Sequence, residues 1–298
     1  EAVQWAAKDV ANYLTQMGLP AAVDNANDVT CQAGKGRVVF VGDGLGTPEF
    51  KAAGTDQTWR IRETLCPDNG LLVELMGGGL LGRQYAGYDL LHRIGVRFFH
   101  PEQEFVPDTP DWPLAAMDIE HTPPFKLRSV SLHLTHPLEL GDAFNLGKQE
   151  YLPEAKRYID WVVKNYASDG RGGAGSGEYS GYGMKRGFPT SAGFTLYNQQ
   201  QGGNGILDVG EANWQPKLEA AIVKAMGTDP ENYPAYFGFT FNPTEFTEAP
   251  DKDVVDQLTF IGNYFAEHYP KTTILTINHG TYGKPTPFYG VRYFDLPK

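Results

Sequence analysis

The stretch GRQYAGYDLLHRIGVRFFHP, residues 82–101, decides how the first third of the chain folds. Its apolar residues recur at helical spacing over residues 82–94, and Gly95 interrupts that spacing. Residues 96–99 follow as a short apolar and aromatic run, which is typical of a β-strand. The stretch therefore predicts a helix followed directly by a strand, as in an α/β domain.

The residues before this stretch predict the rest of a small α/β domain. Apolar and small residues at helical spacing predict a first helix over residues 3–17, which Gly18 and Pro20 end. Three short apolar runs predict strands at residues 37–41, 59–62 and 71–76. A single sheet with both helices on one face would bury all the apolar stripes, so we predict a leading α/β sandwich domain over residues 1–107.

A proline-rich connector and a run of βα units are predicted to follow. Residues 108–127 form the connector, because proline removes ladder donors and disfavours helix. Strands are predicted at residues 129–134, 194–197, 236–241 and 273–277, and helices between them at residues 153–166, 214–226 and 251–269. This alternation is typical of parallel βαβ units.

The length of the βα region limits the architecture it can form. A closed (β/α)8 barrel needs roughly 250 residues, and about 170 follow the connector. We therefore expect residues 128–298 to form a (β/α)8-type barrel truncated after its fourth strand, with the chain a fragment of a longer protein. An open parallel sheet is the alternative.

The stretch at residues 82–101 also resembles a known family. In α-glucuronidases and β-hexosaminidases a helix of the type Y-x-x-Y-x-L-L-x-x-x-G-V-R-x-F, here residues 85–99, precedes a proline-bearing linker. Their first barrel strand opens with an arginine, which is Arg128 here, and residues 158–165 resemble their first barrel helix. The resemblance covers most of residues 1–170 in organisation and thins afterwards. It implies a glycoside hydrolase with a structural leading domain and a catalytic barrel.

Composition excludes several classes of function. The formal net charge of −11 argues against nucleic acid and against anionic membrane surfaces as partners. No apolar stretch approaches the roughly 18 residues that cross a membrane. The two cysteines, Cys31 and Cys66, form either one disulfide or two buried thiols, and export would favour the disulfide. We expect a secreted or periplasmic protein with a carbohydrate partner.

Most glycoside hydrolases use two carboxyl groups across the scissile bond, one of them protonated. Glu245 follows the third predicted barrel strand among aromatic residues, where partial burial would raise its pKa as a general acid requires. We therefore predict Glu245 as the catalytic acid, with capping of the next helix as its alternative role. Candidates for the second carboxylate are Glu139, Asp142, Glu178 and a residue beyond Lys298.

Histidine and aromatic residues near the predicted strand ends are candidates for sugar contacts. His133 and His136 are three residues apart, so a strand would point them to opposite faces, which makes them a poor metal pair. We predict that the substrate-binding residues are His133, His136, Tyr197, Asn278, His279 and Tyr282. Packing in the core or a place on the surface is the alternative for each of them.

No cofactor is expected. Residues 42–46 have the wrong glycine spacing for a dinucleotide fingerprint, and residues 77–84 carry Arg-Gln where a phosphate loop needs Lys-Ser or Lys-Thr. Two functions from other classes stay open. One is a non-catalytic carbohydrate-binding protein, and the other is a polysaccharide lyase that uses His and Tyr for proton abstraction.

Overall fold

The computed structural model describes residues 1–24, 28–41, 57–112, 117–129, 152–170, 177–198, 205–240 and 249–277. The chain divides into two compact units, unit 1 (Glu1–Phe188) and unit 2 (Pro189–Lys298). The boundary between the two units, after Phe188, therefore lies later in the chain than the predicted connector at residues 108–127. None of the helices among the described residues is long and apolar enough to cross a bilayer.

Unit 1 combines helices with a mixed sheet, as expected for an α/β domain. Its helices are α1 (Ala2–Gln16), α2 (Gly79–Arg93), α3 (Leu152–Lys164) and α4 (Gly177–Lys185). Its strands are β1 (Gly36–Phe40), β2 (Trp59–Cys66), β3 (Gly70–Gly77), β4 (Arg97–His100), β5 (Gln103–Phe105) and β6 (Asp118–His121). The helices and strands predicted before residue 100 are confirmed, with shifts at their ends.

The main sheet of unit 1 has the strand order β1-β3-β2-β6. β1 runs parallel to β3, whereas β2 runs antiparallel to both β3 and β6. β6 lies inside the proline-rich segment that the sequence predicted to be a connector. It is held at the sheet edge by its backbone pairing and by Arg60, whose guanidinium donates to both carboxylate oxygens of Asp118 at 2.6 and 2.7 Å.

The alternation of side chains along each strand explains where the core of unit 1 lies. Ile61 of β2 and Val73 of β3 pack against Tyr85 and Leu91 of α2, and all four are fully buried in one cluster. The helix stripe that the sequence predicted is therefore the face that covers the sheet.

The opposite face of the sheet carries a smaller apolar cluster and the disulfide. Val39, Leu72 and Met76 pack there with Cys66, the last residue of β2. Cys66 is bonded to Cys31, with the two Cα atoms 5.4 Å apart. The bond ties the segment before β1 to the end of β2, and the structure selects the disulfide alternative.

We expect the Cys31→Ser/Cys66→Ser variant to lose about 2–4 kcal/mol of unfolding free energy, because the bond closes a loop across a sequence separation of 35 residues. Urea denaturation followed by tryptophan fluorescence measures the loss. The wild-type chain unfolded under reducing conditions is the matched control and should lose as much. Equal stability of the oxidised and reduced wild type would contradict the prediction.

Unit 2 contains the parallel βα arrangement that the sequence predicted. Its elements are β7 (Ser191–Thr195), α5 (Trp214–Met226), β8 (Tyr236–Thr240), α6 (Asp251–His268) and β9 (Thr273–Ile277). The three strands are parallel and lie in sequence order, β7-β8-β9. The described residues form an open sheet and no closed barrel.

Both helices of unit 2 lie on one face of its sheet. Phe237 and Phe239 of β8 share a buried cluster with Ile222 of α5 and with Leu258 and Phe265 of α6. The alternate positions of the strands form the other face, which carries Gly193, Thr195, Gly238 and Thr240 of β7 and β8 beside Leu275 and Ile277 of β9. Among the described residues, both helices cover the face that carries Phe237 and Phe239.

One helix was not predicted, and one predicted strand lies mostly outside the described residues. The glycine-rich sequence around α4 (Gly177–Lys185) carried no predicted helix. Most of the first predicted barrel strand, residues 130–134, lies outside the described residues, and Ser129 forms an isolated parallel bridge with Asp169.

The two glycines that face each other in the unit 2 sheet should respond oppositely to alanine. A Cβ atom on Gly193 would lie 1.8 Å from the carbonyl oxygen of Gly238, whereas a Cβ atom on Gly238 would meet nothing within 4 Å. We expect Gly193→Ala to cost about 1–3 kcal/mol of unfolding free energy. Gly238→Ala is the matched control and should be neutral or slightly stabilising. Equal unfolding midpoints for the two variants would contradict this packing.

Candidate functional site

The three strands of unit 2 end at one level. Thr195 of β7 is in register with Thr240 of β8, and Thr240 is in register with Ile277 of β9. In parallel βα folds the chemistry lies at the carboxyl ends of the strands, because the loops that follow the strands converge there. This edge is the place where the predicted catalytic residues were expected.

Polar groups of the described residues gather at this edge. The Oγ1 atoms of Thr195 and Thr240 are 3.3 Å apart, and both residues occupy strand positions that alternate with the helix-facing phenylalanines. Just after β7, the side-chain amide of Asn198 donates to Oδ1 of Asp208 at 2.9 Å. The edge therefore offers hydroxyl, amide and carboxylate groups, which are suited to binding a polar ligand.

Sequence reasoning missed these four residues. Thr195 and Thr240 were treated as parts of strands, and Asn198 and Asp208 stood in no motif. The signal that would have found Asn198 is its position directly after a buried strand end, since Leu196 and Tyr197 are both fully buried. Asp208 reaches the same edge through the bridge between Tyr197 and Leu207, a pairing that has no signature in the sequence.

Most of the predicted site residues lie outside the described residues. These are Glu245, His133, His136, Asn278, His279 and Tyr282, together with Glu139 and Asp142 among the candidates for the second carboxylate. β8 and β9 end at Thr240 and Ile277, directly before the segments that contain Glu245 and His279. The third candidate, Glu178, belongs to α4 of unit 1. Their roles stay predictions.

Tyr197 is the predicted sugar-binding residue that the structure describes, and it is fully buried. Its hydroxyl donates to Oε1 of Gln257 on α6, which is also buried. Burial raises the pKa of Tyr197, with the nearby Asp253 adding to the effect. Tyr197 thus joins the end of β7 to α6, and its ring packs in the core instead of facing a ligand.

Unit 1 contains a concave region built around Trp59. The indole lies between the His121 ring, 4.4 Å away, and the stacked Tyr166 ring, 5.2 Å away. Its N–H donates to the buried Asp89 carboxylate at 2.8 Å. These rings border a cavity of about 330 Å³ that Arg128 also lines.

Arg128, which the resemblance places at the start of the first barrel strand, is engaged in internal contacts. Its Nε donates to the Tyr166 carbonyl at 2.8 Å, and one Nη donates to Oε1 of Gln57 at 2.7 Å. The guanidinium lies 5.5 Å from the centre of the Tyr85 ring. The other Nη atom is buried and has no partner among the described residues. Arg128 therefore fastens three segments of unit 1 together.

A metal centre has no support within the described ranges, where no group of three or more His, Cys, Asp or Glu side chains is placed to hold an ion. Neither a protein-family model nor a curated protein sequence matches the chain. The resemblance to α-glucuronidases and β-hexosaminidases therefore rests on the motif at residues 85–99 and on the order of the elements around it.

Proposed function

We propose that the chain is a glycoside hydrolase, or part of one, that acts on a poly- or oligosaccharide at the carboxyl edge of β7, β8 and β9. The observation that carries the proposal is the order of these strands. They are parallel, consecutive, and joined by helices that pack on the same face.

This arrangement is the one that a barrel-type βα unit requires, and one half of a doubly wound sheet shares it. In a whole doubly wound sheet the strand order reverses between the two halves, and helices cover both faces. Ligands bind where the order reverses. In a (β/α)8 barrel the strands follow in order and all the helices lie outside. The unit 2 strands lie in sequence order with both helices on one face, as the barrel requires, and the opposite face carries Gly193, Thr195, Gly238 and Thr240. The barrel itself is part of the proposal.

The proposed chemistry is hydrolysis by two carboxyl groups. Glu245 would protonate the leaving oxygen, and the second carboxylate would act either as nucleophile or as general base. A separation of about 5–5.5 Å would give retention of anomeric configuration, and about 6.5–9.5 Å would give inversion. Asn198 and the two threonine hydroxyls at the strand ends would hold sugar hydroxyls.

Export is part of the same proposal. Disulfides persist in oxidising compartments and are rare in the cytosol of most organisms. The Cys31–Cys66 bond is compatible with an extracellular protein. An extracellular protein is placed where polysaccharides occur, so the bond supports a secreted or periplasmic hydrolase.

The role of Glu245 is tested by the dependence of hydrolysis on the leaving group. We expect Glu245→Gln to lower kcat/KM on an oligosaccharide by about 10²–10⁴-fold, because a general acid is needed to expel a sugar alkoxide. The same substitution should lower kcat/KM far less on an aryl glycoside, because its leaving group is already a weak base. Rates are measured by product chromatography and by release of the phenol.

Glu248→Gln, three residues away, is the matched control and should retain full activity. Equal losses in the two variants would contradict the role of Glu245. Binding of oligosaccharides by the wild-type chain without any hydrolysis would replace the proposal with a carbohydrate-binding protein. An unsaturated, ultraviolet-absorbing product would replace it with a lyase.

A further inference from the structure

A second cavity in unit 1, of about 360 Å³, lies between α3 and the hairpin formed by β4 and β5. One side of it is a single stripe of α3, with Arg157, Asp160, Trp161 and Lys164 at successive positions of one helix face. Glu102 and Glu104 of the hairpin form the other side. The apolar positions of α3 face the core, so its polar stripe is left for this cavity.

The two carboxylate oxygens of Asp160 differ in their hydrogen bonds. Oδ1 accepts from the Tyr182 hydroxyl at 2.7 Å and from Nε of Arg186 at 2.8 Å. Within the described ranges no donor bonds to Oδ2, and 29% of the side chain is exposed. Two donors to one oxygen thus orient the carboxylate of a residue that also lines the cavity.

Lys164 lines the cavity with an ammonium group that two hydrogen bonds hold in place. Its ammonium donates to Oε1 of Glu104 at 2.8 Å and to the Tyr13 hydroxyl at 2.9 Å, and it lies 4.9 Å from the centre of the Phe98 ring. Only 12% of the Lys164 side chain is exposed. An ammonium has three donors, so one remains beyond these two bonds to described residues.

The rim of the cavity is adaptable. Arg157 is half-exposed and lies 3.5 Å from Glu102 and 3.2 Å from Glu154, distances typical of weak surface pairs. Arg157 and Glu102 can therefore exchange their mutual contact for contacts with a ligand at little cost in free energy. Next to them, the indole N–H of Trp161 donates to the Phe98 carbonyl at 3.0 Å, which fixes a partly exposed aromatic wall.

The chemistry of these groups selects the class of ligand. Three carboxylates face two cations, which disfavours an anion, and an apolar ligand would strip water from charged groups without pairing them. A sugar hydroxyl both donates and accepts hydrogen bonds, and the C–H face of a sugar ring suits an aromatic wall. The volume lies near the lower end of ligand pockets, roughly 300–1,000 Å³, which suits a short segment of saccharide.

We propose that this cavity is a non-catalytic binding site for a neutral oligosaccharide. It lies wholly within unit 1 and shares no residue with the carboxyl edge of the unit 2 sheet. The choice of a saccharide over other neutral polyols rests on the function proposed above. The site would hold a polysaccharide chain while hydrolysis takes place elsewhere on the protein.

The test is binding of neutral hexasaccharides of β-1,4-linked glucose, xylose and N-acetylglucosamine, measured by calorimetry and by saturation-transfer NMR. We expect the Glu102→Ala/Arg157→Ala variant to bind the preferred sugar about tenfold more weakly, since it loses two or more polar contacts to the ligand. Both side chains are half-exposed, at 55% and 50%, so the fold should survive, and circular dichroism checks this.

Lys252→Ala/Asp256→Ala is the matched control, because it removes an exposed cation–anion pair from α6. It should bind the sugar as the wild type does. Asp160→Asn is a second variant aimed at the oriented carboxylate and should also weaken binding. Unchanged affinity in both cavity variants, or no binding of any of the three sugars by the wild type, would overturn the inference.

Hydrolysis of a small aryl glycoside separates this inference from the proposed function. The Glu102→Ala/Arg157→Ala variant should hydrolyse that substrate at the wild-type rate, because the cavity takes no part in the chemistry. If the wild type hydrolyses nothing but binds a hexasaccharide, and the cavity variant loses that binding, the hydrolase proposal fails and this inference stands.

Discussion

One buried guanidinium joins four helices of unit 1. Arg186, 2% exposed and directly after α4, contacts Asp160 of α3, Gln84 and Tyr88 of α2, and the ring of Trp5 in α1. Desolvation of such a charge costs several kcal/mol. Desolvation also lowers the pKa of Arg186, but Tyr88 and Asp160 outweigh it and raise that pKa. The side chain is therefore stable only where all these partners meet, which fixes how the helices pack.

Tyr88, Asp9 and Asp160 depend on this placement. Tyr88 contacts Arg186 and donates to Oδ2 of Asp9 at 2.7 Å, so α1 is held by the same network. Burial raises the pKa of Asp9, an effect that the nearby Lys164 opposes. Asp160 takes its orientation from Arg186 and Tyr182, and the same residue lines the cavity beside α3. The packing of the helices and the proposed binding site thus share one constraint.

Local sequence patterns predicted the elements whose burial is periodic, such as α1, α2, α6 and the parallel strands of unit 2. They did not predict β6, because its four residues become a strand only by pairing with β2. They also missed α4, whose glycine content opposes helix and whose position depends on the contact of Tyr182 with Asp160. The strand-end edge was predictable from topology. The cavity beside α3 was not, because it requires a hairpin distant in sequence to meet the helix.

Hydrogen exchange in Arg186→Met tests the central constraint most directly. Removing one partner of a buried ion pair costs about 3–5 kcal/mol, so amides in α1, α2, α3 and α4 should all exchange faster than in the wild type. Amides in β7, β8 and β9 of unit 2 serve as the internal reference and should keep their protection. Faster exchange confined to α4 would contradict the account, because Arg186 would then hold only its own helix.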